Sequence, residues 1–548
     1  MVWRRDDPQG NEAGKIRWEL VKWTRGRGLD IGCGPEKAFP HFIGVDNNAD
    51  AGLFGIQAKP DVYIDDARDL RLFATEQYDF VFSSHLLEHI PFDDVVKCLK
   101  EWLRVIKNDG YLILYVPDET LYPKVGEDGA NKDHKWNVSY TLVVELMKKA
   151  GCWDLIDWQR RDQDREYSLY FVFQKKREGH AFSCTLPAPE APRAAVVRYG
   201  AYGDLLQASS VCAGLKKQGY HVTLFCSQPG AAVVKHDPNI DEFYYQDVNQ
   251  VPNGALQHFW GHHKKKYAKW VQLSESVEGQ LLTMPDRAPS QWSPKARHRL
   301  MNHNYLEMMH EIASLPHDPQ VRFYPTPDEV EWAKAERARM GGEMVIVWAL
   351  SGSSVHKKWP WVDQILMSAL TEFPQARFVL VGGPDCVLLE QGWFKVKDGE
   401  AMKDENGRRV VADERVQPRA GDWDIRQTLA FCQQADVVIG PETGTLNAVS
   451  HEPMPKIVFL SHSTDENLTR DWVNTHVVVS DVTECPGRGK AEAPACHQLH
   501  YNWNHCKNAI APDGEPSGVA QCMWDIPAEH VMRVVWHVMN GLKEAKAA

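Results

Sequence analysis

The stretch RYGAYGDLLQASS (198–210) places a carboxylate, Asp204, directly after Gly203, where a predicted strand gives way to a predicted helix. A carboxylate at a helix start can cap the free backbone N–H groups of the first turn. At the mouth of a sheet, an ionised carboxylate can instead take a proton from a sugar hydroxyl. The residues by themselves leave both roles of Asp204 open.

Two later loops combine small, hydroxyl-bearing and basic residues after apolar strands. They are ALSGSSVHKKWPW (349–361) and VVIGPETGTLN (437–447), and the second is predicted to open a helix. Backbone N–H groups at a helix start, with lysines nearby, suit a diphosphate leaving group. The candidate donor-binding residues are Ser351, Ser353, Lys357, Lys358, Glu442, Thr443 and Gly444.

A glycine-containing turn, GLDIGCGP (28–35), follows an apolar strand near the N-terminus. Glycines let backbone come close to a ligand, and Asp46 at the end of the next strand can accept hydrogen bonds from ribose hydroxyls. Asp66 and Ala67 end a third strand, where an adenine amine could be bound. FVFSSHLLEHI (80–90) ends a fourth strand with polar residues over the same sheet edge.

These motifs resemble those of the class I S-adenosylmethionine-dependent methyltransferases, which have a D-x-G-x-G first motif and an L-E-H fourth motif. The resemblance covers residues 25 to about 175. It implies S-adenosylmethionine as cofactor, held by Asp30, Gly32 and Gly34 at the methionine moiety, Asp46 at the ribose, Asp66 and Ala67 at the adenine, and Ser84, His85 and His89 at the methyl end. The chain departs from the family between Pro35 and Gly44, which are too close for a full crossover helix.

Methyl transfer to a hydroxyl needs alignment of the reactants and a base. His89 and His134, the latter in NKDHKWN (131–137), are the candidate bases, although a histidine found in this way is more often structural. The N-P-P-Y and P-C motifs of nucleobase methyltransferases do not occur at the fourth motif. Methylation of an oxygen or of a small molecule is therefore favoured.

From residue 193 to about 480, the order and spacing of the loops resemble glycosyltransferase family 9, the ADP-heptose:lipopolysaccharide heptosyltransferases. This family has two facing Rossmann-like domains, the GT-B fold. Gly203 and Asp204 match its G-D-x-x motif, and the resemblance implies that Asp204 is the general base. The implied reaction is an inverting, metal-independent transfer from a nucleotide sugar, with ADP-linked sugars among the candidate donors.

Two further family motifs are matched with changes. Lys357 or Lys358 precedes Trp359-Pro360 as in K-x-W-P, whose lysine would neutralise the donor phosphates. Residues 440–447 match G-P-D-T-G-x-x-H, but a glutamate, Glu442, replaces the aspartate and an asparagine, Asn447, replaces the histidine. The identity of the donor sugar is therefore left open.

Two other segments invite a chemical interpretation. Cys485, Cys496, Cys506 and Cys522 lie in a polar, proline-containing tail (485–522), where soft ligands indicate structural zinc, with disulfides or buried thiols as alternatives. FWGHHKKKYAKWVQLSESVEG (259–279) mixes basic and aromatic residues. It could receive an anionic acceptor, or it could be a solvated helix face.

The size and composition fit a multidomain α/β enzyme. A chain of 548 residues suggests two to four domains, and its net charge of -12 gives no overall basic field for nucleic acid. The N-terminus lacks the apolar core of a secretory signal, and no run approaches the length of a membrane span, so a cytoplasmic location is expected. Peripheral contact with a membrane-bound acceptor remains compatible with this composition.

Strands that alternate with helices predict parallel sheets. The helix predicted from DDVVKCLKEWLRVIKND ends at Asp109-Gly110. The predicted fold is α/β, with an N-terminal Rossmann-like methyltransferase domain followed by a GT-B pair of Rossmann-like domains. The predicted boundaries are a methyltransferase domain at 1–178, a linker at 179–192, a GT-B acceptor domain at 193–342 and a GT-B donor domain at 343–548.

The sequence favours a bifunctional enzyme that glycosylates and methylates a glycan or glycoconjugate, with the nucleotide sugar and this acceptor as its partners. One alternative is an enzyme that glycosylates and methylates nucleobases, against which the acidic charge and the missing nucleobase motif both count. The other alternative is an active glycosyltransferase with a non-catalytic methyltransferase-fold module.

Overall fold

The strands of the first third of the chain form one eight-stranded sheet in the order β3-β2-β1-β4-β5-β7-β6-β8. The strands are β1 (Gly28–Ile31), β2 (Ile43–Asp46), β3 (Val62–Tyr63), β4 (Tyr78–Ser84), β5 (Ile106–Pro117), β6 (Trp153–Arg161), β7 (Ser168–Lys175) and β8 (Ser183–Cys184). The pairs within β1 to β5 are parallel, and β7 is antiparallel to both β5 and β6. Strands β6 and β7 therefore add an antiparallel pair to this sheet, with β7 on the inside.

The computed structural model describes residues 12–47, 58–163, 165–184, 191–274, 303–397, 400–405, 409–461, 463–480 and 518–547. The chain divides into two compact units. Unit 1 takes in Met1–Glu190 and Tyr245–Lys266, and unit 2 takes in Ala191–Tyr244 and Tyr267–Ala548. The predicted domain boundaries themselves stay predictions.

Helices α1 (Glu12–Leu20), α2 (Phe92–Val105) and α3 (Tyr140–Ala150) belong to unit 1. The apolar stripe of α2 is buried at helical spacing and consists of Val95, Cys98, Leu99, Trp102 and Val105. The helix ends at Val105, earlier than predicted, because the strand β5 already begins at Ile106. Asp109 has a left-handed φ of 63° inside this strand, so its Asp-Gly pair marks an irregularity of the strand and not a helix stop.

The crossover between β1 and β2 contains no helix, as its length predicts: the described residues 32–42 form turns. Phe39 and Phe42 fill the space beside the sheet with almost no exposure. The predicted linker at 179–192 is partly structured, because Ser183 and Cys184 pair in parallel with Asp154 and Leu155. Residues 185–190 lie outside the described part of the chain.

Unit 2 contains two parallel sheets that follow one another along the chain. The first has the order β11-β10-β9-β12, with β9 (Arg193–Val197), β10 (His221–Cys226), β11 (Glu242–Tyr245) and β12 (Lys269–Gln272). Its helices are α4 (Tyr202–Lys217) and α5 (Gln228–Ala231). Helix α6 (Leu256–Lys264) follows in the chain but belongs to unit 1, and α7 (Tyr305–Ile312) and α8 (Pro327–Met340) lead to the second sheet.

The second sheet has the order β17-β14-β13-β18-β19-β20, and its adjacent strands are parallel. Its strands are β13 (Met344–Ala349), β14 (Ala376–Val381), β17 (Val416–Pro418), β18 (Val437–Pro441), β19 (Lys456–Leu460) and β20 (Thr475–Val479); β15 (Val396–Lys397) and β16 (Glu400–Ala401) form a separate hairpin. The helices are α9 (Val362–Glu372), α10 (Ile425–Cys432), α11 (Gly444–Ala448), α12 (Gln521–Trp524) and α13 (Ala528–Ala547). Alternate residues of β13 enter different core clusters, so both faces of this sheet are covered.

The segment Tyr245–Lys266 packs into unit 1 through polar contacts. The amide Nε2 of Gln250 donates to the carbonyl oxygen of Val21 at 2.7 Å, and Gly26 N donates to Asp247 Oδ2 at 2.9 Å. Glu19 of α1 lies 2.9 Å from His262 Nε2 and also forms an ion pair with Lys266. The first half of the basic and aromatic segment therefore neutralises a buried carboxylate of unit 1.

Among the described helices, none has the length and apolar character that crossing a membrane would require.

Candidate active sites

The glycine turn after β1 leaves open space at one position. Gly32 and Gly34 both have left-handed backbones, with φ of 77° and 58°. A Cβ on Gly32 would lie 2.9 Å from Leu86 Cδ2, whereas a Cβ on Gly34 would meet nothing within 4 Å. Gly32 therefore packs against the chain that follows β4, and Gly34 borders space in which a ligand could lie.

Two carboxylates hold this turn. Asp30 is 1% exposed, and its Oδ2 accepts a hydrogen bond from Ala38 N at 3.0 Å. Burial raises the pKa of Asp30 to about 7, although the Ala38 hydrogen bond opposes the shift. Asp46 accepts two hydrogen bonds of 2.8 Å, from Gly34 N at Oδ2 and from Asn47 N at Oδ1. Each oxygen of Asp46 keeps a second lone pair for a ribose hydroxyl, while Asp30 fixes the crossover.

Asp66 and Ala67, the predicted adenine contacts, follow β3. Both oxygens of Asp66 accept hydrogen bonds from the guanidinium of Arg68, which also contacts Asp94. The carbonyl oxygen of Ala67 accepts the indole N–H of Trp102 at 2.9 Å. These interactions fix the two residues in place, and their contact with adenine stays a prediction.

Ser84 and His85 end β4 in an unusual conformation. His85 has a left-handed φ of 50°, and its backbone N–H donates to the carbonyl oxygen of Tyr115 at 2.8 Å. Its Nε2 lies 3.0 Å from Ser168 Oγ. The hydroxyl of Ser84 is buried without a hydrogen-bond partner among the described residues. A strained residue beside an unsatisfied hydroxyl is typical of a binding site.

The two predicted base histidines come together, although they are far apart in the sequence. The rings of His89 and His134 have centroids 4.9 Å apart and meet edge to face. Glu88, which the sequence analysis did not single out, lies between them with its Oε1 3.7 Å from His134 Nε2. Burial lowers the pKa of His89 to about 4, lowers that of His134, and raises that of Glu88 to about 8. The sequence does contain a signal for Glu88: it is the one acidic residue among the apolar residues of LLEHI (86–90), a position where a carboxyl group is expected to be buried.

In unit 2, the loop after β13 folds back on itself. Ser351 and Lys358 form an antiparallel bridge, and Gly352 N donates to the carbonyl oxygen of Lys357 at 2.9 Å. A Cβ on Gly352 would lie 3.0 Å from Thr443 Cγ2, so the two predicted donor-binding loops are in contact. Ser353 is exposed on this loop.

Trp359, the tryptophan of the matched W-P pair, anchors this loop. It is 2% exposed and stacks on Phe459 with ring centroids 5.1 Å apart. Its indole N–H donates to the carbonyl oxygen of Ile526 at 3.1 Å. This anchoring places Lys357 and Lys358, both partly exposed, at the carboxyl edge of the sheet.

Thr443 stands directly before α11, and its hydroxyl does not cap that helix. Its Oγ1 is buried without a hydrogen-bond partner among the described residues. Glu442 is 3% exposed and accepts hydrogen bonds at Oε1 from the backbone and hydroxyl of Ser461. Thr443 is thus available to a ligand, whereas Glu442 ties β18 to β19.

The turn before α4 meets the turn before α11. A Cβ on Gly444 would lie 2.7 Å from Tyr202 Cβ and 3.4 Å from Gly203 N. Asp204 is the third residue of α4, not its cap: its Oδ2 accepts Ala201 N at 2.7 Å, and its Oδ1 pairs with Arg198 at 2.8 Å. The predicted base and the predicted donor loop are therefore neighbours, and Asp204 also stabilises its own helix start.

Only one of the four predicted zinc ligands lies within the described residues. Cys485, Cys496 and Cys506 lie outside the described residues. Cys522 lies on α12 and is packed, 4% exposed, in the core beside the second parallel sheet. Its burial in an apolar cluster is typical of a structural cysteine.

One known protein family matches a part of this chain. Residues 29–114 match the family described as a methyltransferase domain. Among curated proteins, no relative matches this sequence.

Solved structures similar to this chain fall into two groups. A family 9 glycosyltransferase from Veillonella parvula is 12% identical, with 64% of this chain and 97% of that chain covered and a TM-score of 0.43. The E. coli ADP-heptose LPS heptosyltransferase II is also 12% identical, with coverages of 65% and 100% and a TM-score of 0.43. A SAM-dependent methyltransferase from Archaeoglobus fulgidus is 17% identical, with coverages of 30% and 92% and a TM-score of 0.23.

The predicted fold class is confirmed. The chain is an α/β protein: residues 29–114, within its N-terminal sheet, match a methyltransferase domain, and two further α/β sheets follow. The predicted resemblance to both a methyltransferase and a family 9 glycosyltransferase is also confirmed.

Proposed function

We propose that this chain is a bifunctional enzyme, an inverting glycosyltransferase joined to an S-adenosylmethionine-dependent methyltransferase, that acts on a glycan or glycoconjugate. The observation that carries the glycosyltransferase half is the close approach of Gly203 and Gly444. This approach brings the turn before Asp204 next to the turn that carries Thr443. The Thr443 turn also contacts the loop that carries Lys357 and Lys358. A base and a set of phosphate-binding groups in one place are what glycosyl transfer requires.

In the proposed transfer, Asp204 takes the proton of the acceptor hydroxyl. The acceptor oxygen then forms a bond to the anomeric carbon of the sugar, and the bond from that carbon to the diphosphate oxygen breaks. Lys357, Lys358 and the hydroxyl of Thr443 stabilise the departing nucleotide diphosphate. Arg198 keeps Asp204 in its orientation through their 2.8 Å contact.

The partners follow from this chemistry. The donor is a nucleotide diphosphate sugar, and the acceptor is a glycan or glycoconjugate that offers a hydroxyl. Glu442 and Asn447, where the chain departs from the family 9 pattern, are buried at 3% and 6% exposure. Glu442 is held by Ser461 and Asn447 by Gln207. We further propose a cytoplasmic enzyme that takes its acceptor in peripheral contact with a membrane and does not act on nucleic acid.

The N-terminal site fits S-adenosylmethionine in three respects. Gly34 borders open space, Asp46 keeps lone pairs for the ribose, and Ser84 offers a buried hydroxyl with no described partner. When bound, the cofactor supplies an electrophilic methyl group. The residues of the chain then align the acceptor with it, and His89 and His134 stay the predicted bases.

A donor screen tests the glycosyltransferase half. Release of nucleotide diphosphate from ADP-, GDP- and UDP-sugars is measured for the full chain and for Asp204→Asn. The amide can still accept Ala201 N, so we expect a folded variant whose transfer rate falls about 10²-fold or more, with nucleotide diphosphate binding retained. Asp318→Asn, which removes an exposed partner of Lys217, is the matched control. Full transfer activity in Asp204→Asn would show that Asp204 is not the base and that its carboxylate only stabilises the start of α4.

Calorimetric titration with S-adenosylmethionine tests the other half. We expect binding to the full chain and its loss in Gly34→Ala, because the new methyl group would enter the ligand space. Gly126→Ala is the matched control: Gly126 also has a left-handed φ, 89°, with nothing within 4 Å of its Cβ position. Both substitutions place an alanine on a left-handed backbone, so the control includes a strain at least as large as that at Gly34. A full chain that fails to bind the cofactor would reduce unit 1 to a non-catalytic module.

A further inference from the structure

A buried carboxylate and two imidazoles meet just beyond β4, and the methyl transfer proposed above leaves the carboxylate without a role. We call Glu88, His89 and His134 the acid–histidine cluster. One ligand-type atom from each of the three residues lies within 4.8 Å of the other two. The cluster follows Ser84 in the chain, at the end of the sheet where the methyl group of the cofactor is expected.

Glu88 is the unusual member. It is 0% exposed, and neither of its oxygens accepts a hydrogen bond from the described residues. A carboxylate removed from water normally has a hydrogen-bond donor or a cation as partner, because the unpaired charge is very unfavourable. The basic groups facing it are histidine nitrogens at 3.5 Å (His85 Nδ1) and 3.7 Å (His134 Nε2). These distances are too long for hydrogen bonds and leave room for an atom between the ligands.

The spacing fits one metal ion. Zinc and similar ions bind imidazole nitrogen and carboxylate oxygen at about 2.0–2.2 Å, which puts neighbouring tetrahedral ligand atoms about 3.4 Å apart. The separation between Glu88 Oε1 and His134 Nε2, 3.7 Å, is already close to that value. Small side-chain rotations would bring His89 into the same shell.

The backbone holds the two halves of the cluster together. Lys135 N donates to the carbonyl oxygen of Glu88 at 2.8 Å, and the indole N–H of Trp136 donates to that of Leu87 at 3.3 Å. The short 3₁₀ turn Leu87–His89 and the segment around His134 are therefore fastened to each other. Ligands on a fixed scaffold lose little freedom when they bind an ion.

We propose that Glu88, His89 and His134 bind a divalent transition-metal ion, and that this ion receives an oxygen of the methyl acceptor. Two imidazoles and one carboxylate suit zinc, iron(II) and related ions, and three protein ligands leave coordination positions open for a substrate. The ion also supplies a positive partner for Glu88, whose oxygens accept no hydrogen bond from the described residues.

The metal gives the acceptor its reactivity. A hydroxyl bound to the ion loses its proton to water more readily. Its oxygen then forms the bond to the methyl carbon while the carbon–sulfur bond breaks and leaves its electron pair on sulfur. The histidines act as ligands in this case, and the metal replaces them as the means of deprotonation. This role rests on the proposed methyl transfer, whereas metal binding itself does not.

Metal titration of the full chain tests the proposal. Cys485, Cys496 and Cys506 are changed to Ser, so that thiolates of the tail do not compete. The chelator-treated protein is then titrated with Co²⁺ and with Zn²⁺, followed by calorimetry and by the visible spectrum of Co²⁺. We expect one ion per chain, without a thiolate charge-transfer band, and an affinity that falls at least about 10-fold in Glu88→Gln and in His134→Asn.

His180→Asn is the matched control, since His180 is an exposed histidine of unit 1 that pairs with Asp154. Thermal melting of every variant shows whether it is folded. Glu88→Gln is expected to fold, because neither oxygen of Glu88 accepts a hydrogen bond from the described residues. The absence of saturable binding, or binding that survives both substitutions, overturns the metal site. S-adenosylmethionine binding is titrated in parallel. If the protein binds the metal ion but not S-adenosylmethionine, the proposed methyltransferase activity is contradicted and the metal site is not.

Discussion

Gln207 and Asn447 form a buried hydrogen bond, in which Gln207 Nε2 donates to Asn447 Oδ1 at 3.0 Å. The two residues are 240 positions apart. Gln207 lies on α4, which follows β9 of the first sheet of unit 2, and Asn447 lies on α11, which follows β18 of the second sheet. Asn447 also donates from Nδ2 to the carbonyl oxygen of Thr443 at 2.9 Å. The asparagine that replaces the family 9 histidine therefore fixes the turn that carries Thr443.

The Gln207–Asn447 bond should contribute to the stability of unit 2. Gln207→Ala or Asn447→Ala leaves a buried polar group without its partner, so the free energy of unfolding should fall by about 1–2 kcal/mol. The double variant should lose less than the sum of the two single losses, because no partner is then left unsatisfied. Scanning calorimetry measures these losses, with Gln417→Ala, at an exposed glutamine hydrogen bond, as the control. Strictly additive losses would contradict the coupling.

Thr443→Val should separate donor binding from stability. The hydroxyl has no described hydrogen-bond partner, so its replacement by a methyl group of similar size should leave the melting temperature unchanged or slightly raised. Binding of the nucleotide diphosphate should weaken roughly 10-fold if the hydroxyl contacts a phosphate. Calorimetric titration measures the affinity. Thr428→Val, whose hydroxyl instead bonds the Asp424 carbonyl oxygen, should leave that affinity unchanged.

Glu19 should stabilise unit 1 in a pH-dependent way. Burial alone would raise the pKa of Glu19, but the hydrogen bond from His262 and the charge of Lys266 hold it well below its usual range. A lowered folded pKa gives stability that is complete above the unfolded pKa of about 4.3 and is lost as the pH falls below it. Glu19→Gln should thus lower the unfolding free energy by about 3 kcal/mol at pH 7.

The difference in melting temperature between Glu19→Gln and the parent should shrink as the pH is lowered from about 7 to about 3. Asp69→Asn, at an exposed pair with Arg71, is the control and should have little effect. A Glu19→Gln deficit that stays constant across this range would mean that the ion pairs contribute no net stability.

Asp30 should show the opposite dependence. Burial raises its pKa to about 7, above the unfolded value of about 3.9, so the folded chain keeps an extra proton between these values. Stability therefore falls as the pH rises from about 4 to about 7. Asp30→Asn removes this loss and retains an acceptor for Ala38 N. Its stability advantage over the parent should therefore grow across this pH range, to at most about 4 kcal/mol. Melting curves at several pH values measure it.

Asp61→Asn provides the contrasting control for Asp30. The hydrogen bond from Lys37 lowers the pKa of Asp61, so its replacement should reduce stability most near neutral pH. Parallel trends in the two variants would contradict the assigned cause, namely the burial of Asp30.

The sequence predicted those strands and helices that a short run of neighbouring residues specifies. The apolar runs after Arg27, Pro192 and Glu343 became strands, and the stripe of α2 became a buried helix face. The end of α2 was missed because Asp109-Gly110 has the composition of a turn, while the pairing of β5 with β4 and β7 extends the strand through it. Tertiary pairing decided that boundary, and a local pattern does not contain it.

The sites were predicted in part for the same reason. The loop motifs located Asp204, Thr443 and the glycine turn, because backbone geometry ties those residue types to particular positions. The contact of His134 with Glu88 and the bond of Gln207 to Asn447 depend on which segments pack together after folding. Periodicity and spacing carry no information on such distant pairs, so only the structure could reveal them.

The segment Tyr245–Lys266 also sets the order in which this protein can mature. Synthesis proceeds from the N-terminus, so β9, β10 and β11 have left the ribosome before α6, which completes unit 1, exists. Until then, Glu19 has neither His262 nor Lys266 to neutralise it, and the carbonyl oxygen of Val21 lacks its donor, Gln250. Unit 1 is therefore synthesised first but can complete its fold only after much of the first sheet of unit 2 has been made. A protease cut at 185–190 would separate Tyr245–Lys266 from the rest of unit 1, so neither fragment would consist of one intact unit.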